Sequence, residues 1–184
     1  RHHFSVTDAS GSLIPHQEEM PTSRMPVDWR KRLVFHAEVP ALSHARFMLK
    51  KAPEPVTFDS GASVAESSEL TVVDTGRLRA SFDRSTGLLR SLIDLSEDRE
   101  LLAAAVDLLV VDDQGDCWGG GVHSYRDIVG RFSKAQPATT ARLAGLDDSE
   151  SPISTVRVVE NGPVRTVVES LLQYSASTAV ERYV

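Results

Sequence analysis

The chain has 184 residues with a hydrophobic fraction of 41%, enough for one core or for one small domain and part of another. A net charge of -6 argues against a nucleic-acid partner, which a basic face would announce, and no apolar run approaches the roughly 20 residues that span a bilayer. One cysteine allows no internal disulfide, and the opening "RHHFSVTDASG" lacks a signal-peptide core, so the expected location is cytoplasmic.

The pattern along the chain is mostly of period two, which predicts a mostly β protein with at most one or two short helices. A hairpin centred on "TDASGS" comes first, followed by "RLVFHAEV", where Leu33, Phe35, Ala37 and Val39 alternate with Val34, His36 and Glu38. Residues 1–52 read as a small β unit. "KKAPEPVTFDSGASVAESSE" then holds two prolines and many small or polar residues, so 53–69 reads as a linker or long loop. Residues 70–184 form a second β region.

In that region Leu78, Ala80 and Phe82 alternate with Arg77, Arg79 and Ser81. "DRSTG" suits a tight reversal and "LLRSLID" is the return strand, so residues 77–94 read as a hairpin. "SEDRELLAAA" is the one good helix candidate, and "VDLLVVDD" reads as a buried strand. "STVRVVENGPVRTVVESLLQY" is a second hairpin, its reversal at Glu160 to Pro163 carrying the Asn-Gly pair, with Pro163 at the turn or at a strand's first residue because it lacks an N–H.

The stretch "GDCWGGGVHSY", Gly115–Tyr125, is expected to be an exposed, mobile loop. Its three glycines precede no G-K-[ST], so they are not a phosphate loop. "DDQGDCW" departs from the calcium-loop order. Cys117 has His123 in reach but no orienting third group, so a free thiol is the expectation. The six histidines form neither an H-E-x-x-H pair nor a finger spacing, and His36 is expected to face solvent. Trp118 and Tyr125 suit stacking on a sugar ring and equally suit a domain interface.

"TDASGSLIPHQ", "RLVFHAEVPALSHARFML", "LRASFDRSTGLLRSLIDLSEDRELL", "LLVVDDQGDCWGGGVHSY" and "ENGPVRTVVES", in that order, resemble the C-terminal β region of glycoside hydrolase family 38, the α-mannosidases. The resemblance implies an antiparallel β-sandwich fold: part of a small β domain, then the start of a galactose-mutarotase-like supersandwich, truncated at the C-terminus. It implies that catalysis and zinc belong to an absent N-terminal domain carrying a His-x-Asp pair. His16, His36 and His123 are not followed by such a pattern, so no catalytic or metal residue is carried over. Retaining hydrolysis needs two carboxyls about 5–5.5 Å apart, and no such pair is identifiable.

The expected role is therefore a non-catalytic fragment of an α-mannosidase-like hydrolase, with no cofactor of its own and no activity alone. Trp118, His123 and Tyr125 would line the rim of the active site. Its partners would be carbohydrate, the missing catalytic domain and, through an unpaired C-terminal edge, a second copy. The alternative is a free-standing carbohydrate-binding or adhesion-type β module using the same aromatics.

Overall fold

The computed structural model describes residues 3–19, 32–59, 61–112, 126–144 and 153–184. The described residues form fifteen strands and one short helix, and the named strand pairs are antiparallel. Among the described residues no helix is long and apolar enough to cross a membrane. The chain divides into two compact units, one of Arg1–Ser63, Val158–Val167 and Val184, the other of Val64–Arg157 and Val168–Tyr183.

In the first unit, β1 (His3–Thr7) pairs with β4 (Met48–Ala52), from His3↔Ala52 to Thr7↔Met48. After β1 the chain reverses at Asp8–Ser12, where Gly11 takes φ +88° and Thr7 bridges Leu13. β2 (His16–Glu18) pairs with β3 (Leu33–Phe35). β3 is thus shorter than the alternation predicts. His36 is exposed, as expected, and the chain runs irregularly through residues 36–40 to Pro40, which has no ladder donor to offer.

His16 is buried at 7% exposure. Nδ1 lies 2.8 Å from the Ile14 carbonyl and Nε2 2.9 Å from that of Phe4, while the Phe58 ring meets the imidazole edge-on at 5.1 Å.

The tip of the second predicted hairpin belongs to this unit. β13 (Val156–Asn161) and β14 (Thr166–Tyr174) flank it, and the Gly162 N–H donates to the Arg165 carbonyl at 3.1 Å. The central residues are therefore Pro163 and Val164, not the Asn-Gly pair. An Asn-Gly turn needs positive φ at both residues, and neither Asn161 nor Gly162 has it. Pro163 decides the matter: its fixed φ suits the first central position, and it biases the preceding residue towards extended backbone. Gln17 completes the turn, its Oε1 accepting from the N–H groups of Val164 and Arg165, each at 3.0 Å.

The second unit has a β-sandwich-type fold. One sheet runs β5 (Ser63–Glu66), β6 (Leu70–Asp74), β7 (Leu78–Asp83), β8 (Leu89–Asp94) and β9 (Arg99–Glu100). The other holds β12 (Ser133–Lys134), β13, β14 and β15 (Ser177–Tyr183), in which β14 pairs with each of the others. The β7–β8 hairpin runs from Leu78↔Asp94 to Phe82↔Leu89, with a bulge at Ser81/Phe82.

Its turn forms as expected. Asp83 Oδ1 accepts from the N–H and hydroxyl of Ser85, and Gly87 sits at φ +83°. Asp8 with Ser10 and Asp94 with Ser96 repeat this Asp-x-Ser arrangement.

Phe82, 1% exposed, meets the Tyr183 ring at 5.0 Å and 68°, joining the two sheets. Burial pushes the Tyr183 hydroxyl's pKa well above its ordinary value. Val73, Leu88, Leu89, Val156, Val168, Leu171 and Leu172 complete the core of this unit. At about 25 cal/mol per Å² of apolar surface, side chains of this kind supply most of the drive to fold.

Two expectations fail here. "SEDRELLAAA" is not helical: residues 95–98 are a turn, Asp98 takes φ 47°, and Arg99–Glu100 form β9. The Glu100 carboxylate accepts from the Ser91 hydroxyl and from the N–H groups of Leu92 and Leu102, which holds the segment in strand register. "VDLLVVDD" does contain a strand, β10 (Leu109–Val111), but Leu109 is 41% exposed. Among the described residues β10 pairs only with β11 (Ile128–Arg131), and a two-stranded ribbon covers little of its own surface. The observed helix, α1 (Pro137–Ala144), starts with proline, whose missing N–H is harmless at a first helical position.

Candidate functional site

A concave feature of the second unit is a cleft of about 450 Å³ lined by nine of the described residues, the polar ones among them being Ser68, Arg84, Lys134, Thr140, Ser154 and Thr155. They reach it from five segments of the chain, Ser154 and Thr155 sharing one.

Arg84 is the second residue of the "DRSTG" turn. Its N–H donates to the Glu69 carbonyl at 2.8 Å, so the turn is tied to the start of β6. The guanidinium is three-quarters buried. Nη1 lies 3.2 Å from Glu66 Oε2, and Nη2 donates to Ser154 Oγ at 3.1 Å. Ser154 in turn donates to the Val156 carbonyl at 2.6 Å, which fixes the hydroxyl. Beside this arginine, Asp83 sits below the ordinary carboxylate range, chiefly through the Ser85 hydroxyl bond and further through backbone N–H groups.

Lys134 is placed by β12, opposite Leu172. The next residue, Ala135, is 1% exposed and donates to the Leu171 carbonyl at 3.0 Å, so the backbone under the lysine is fixed while its side chain stays in solvent. Pro137 and Thr140 bring the first turn of α1 to the wall. Thr140 is 1% exposed and donates to the Pro137 carbonyl at 2.7 Å. Thr155, 6% exposed, has its carbonyl bonded to the Leu171 N–H.

Two cations and four hydroxyl side chains thus line one hollow, with no carboxylate, imidazole or thiol among the described lining residues. Such a lining can bind and orient a polar ligand, and it supplies no general acid–base pair. Among the described residues no group of three or more His, Cys, Asp or Glu could hold a metal ion.

Trp118, His123, Tyr125 and Cys117 lie outside the described residues. Sequence reasoning treats Arg84 as part of a turn and does not single out Lys134. The missed signal is that Arg84 is the one cation inside a turn whose other residues are small. His16, weighed only as a metal ligand, is instead a packed side chain between two carbonyls.

No protein-family model matches this chain, and a search of curated proteins finds no match to it.

Proposed function

We propose that the chain is a non-catalytic β region of an α-mannosidase-like glycoside hydrolase, the small β domain and the start of a galactose-mutarotase-like supersandwich. Catalysis and zinc would reside on a separate N-terminal domain, with Trp118, His123 and Tyr125 lining the rim where carbohydrate binds. The observation that supports this reading is the pair of hairpins that carry the resemblance. "FDRSTGLLRSLID" and "ENGPVRTVVES" form β7–β8 and β13–β14, two antiparallel hairpins in different sheets. The setting would be cytoplasmic.

The reading frame around the chain is the first test. Several hundred codons upstream encoding a His-x-Asp pair support it, and a start codon beside Arg1 overturns it. In the full enzyme, Trp118→Ala should lower kcat/KM for an aryl α-mannoside by about tenfold, the loss of one good sugar contact. An unchanged kcat/KM removes Trp118 from the rim.

A second copy is the other partner in this reading. β15 pairs with β14 on one side only, and Val180 is 45% exposed. A two-fold antiparallel register centred on Val180 keeps each side chain on its own face and opposes no like charges, whereas centres at Glu181 or Arg182 place a charge against itself. Light scattering should show a concentration-dependent dimer. A strict monomer would overturn edge pairing.

A further inference from the structure

We propose that the cleft between the "DRSTG" turn, β12 and α1 binds a small molecule through a tetrahedral, doubly charged oxyanion, the phosphate or sulfate group of its ligand. The chain as a whole carries a charge of -6, yet the described residues lining this hollow include Arg84 and Lys134 and no acid. One carboxylate bears on them, that of Glu66, which is half exposed and pairs with one edge of the Arg84 guanidinium. Among the described residues Glu66 offsets Arg84 while Lys134 makes no ion pair, so these residues leave one positive charge facing the hollow. Clefts lined by one sign of charge concentrate counter-charged ligands.

The geometry favours an oxyanion over a neutral sugar hydroxyl. Arg84 is held by Glu66 and Ser154 and reaches the cleft as a fixed cation, so little ordering entropy is lost when a ligand arrives. Lys134 stands as a mobile point charge on a rigid strand. Ser68 and Thr155 present hydroxyls that can donate to the remaining oxygens. A volume of about 450 Å³ exceeds one inorganic ion and falls within the range of small-molecule sites, so the oxyanion is the head of a larger polar ligand. A tetrahedral dianion is preferred over a carboxylate because Arg84, Lys134 and the hydroxyls of Ser68 and Thr155 come from separate segments and together call for more than two acceptor oxygens. This assignment does not depend on the family resemblance.

The test uses the full chain and inorganic phosphate, sulfate and acetate at constant ionic strength. Titration followed by amide NMR should give saturable shifts at Lys134, Ala135, Ser154 and Thr155 with phosphate and with sulfate. The expected Kd is about 1 mM, the range for a bare ion without the rest of its ligand. Acetate should bind at least about fivefold more weakly, as expected for half the charge. Lys134→Gln alters an exposed side chain and should weaken phosphate by about fivefold or more with the fold intact. Arg77→Gln, outside the cleft, should leave affinity unchanged. Absence of saturable shifts at tens of millimolar phosphate overturns the site, as does unchanged affinity in Lys134→Gln. Equal binding of acetate overturns the dianion assignment.

Discussion

Arg182 on β15 donates through Nε to Glu169 Oε2 on β14 at 2.9 Å, directly across the antiparallel register. The Glu169 side chain is only 2% exposed, and Arg157 from β13 holds its other oxygen. One buried carboxylate thus joins three neighbouring strands. A charge at this depth persists only when paired, so the two arginines and the carboxylate stand or fall together.

Glu169→Ala should lower unfolding free energy by about 1–3 kcal/mol, the loss of the charged hydrogen bonds that Arg157 and Arg182 make to it. Arg182→Ala should cost less, about 1 kcal/mol, since that side chain is 46% exposed and solvent screens it. Urea denaturation followed by circular dichroism checks both. Equal losses in the two variants would mean that burial of Glu169 is not the source of the stability.

Gly87 is required twice, by its φ of +83° and by space. A Cβ there would stand 2.9 Å from Leu172 Cδ2. Gly11 has a similar φ of +88° with nothing within 4 Å. Gly11→Ala should therefore lose only the conformational term, about 1 kcal/mol. Gly87→Ala should lose about 1–3 kcal/mol more, the cost of moving Leu172 in a packed core. Thermal melting of the two variants separates these terms, and equal shifts would show that Leu172 yields freely.

Gln17 is the one side chain whose oxygen takes both turn amides at Val164 and Arg165, and its Nε2 donates to Glu160 at 3.3 Å. Gln17→Ala should destabilise by about 1–3 kcal/mol, the penalty for buried donors left unpaired. Amide hydrogen exchange gives the site-specific readout: protection should fall at Val164 and Arg165 while the β7–β8 amides are unaffected.

Acid should weaken the fold in a defined window. Asp8, Asp83, Asp94 and Glu100 lie below their ordinary values chiefly through serine hydroxyl bonds, and Asp74 chiefly through the Gly76 N–H. Carboxylates whose folded pKa is depressed stabilise fully above their unfolded values and lose that contribution as pH falls through the folded ones. The melting temperature should be level from neutral pH down to the ordinary values of 4.5 for Glu and 3.8 for Asp, then fall. Asp83→Ala should melt lower at neutral pH and show a shallower acid limb, measured by circular dichroism from pH 7 to pH 2.5 (about the range these groups titrate).

What the sequence determined by itself was local. The alternation in "RLRASFD", the reversal at "DRSTG" and the return in "LLRSLID" act between residues a few positions apart, so composition and spacing suffice to place β7, its turn and β8. The same holds for the mostly β class. The tertiary structure decided everything that depends on distant partners. β1 and β4 meet across some forty intervening residues, and Gln17 caps a turn nearly 150 residues away. Pro163 overrides the Asn-Gly signal within its own hairpin, and Glu100 becomes a strand residue because Ser91 and Leu92 engage its carboxylate. The cleft draws on positions from Ser68 to Thr155, and no spacing in the sequence brings Arg84 near Lys134. The physical reason is that an isolated segment chooses a conformation by its own periodicity, whereas burial and the need to pair every buried polar group are settled only when the sheets close.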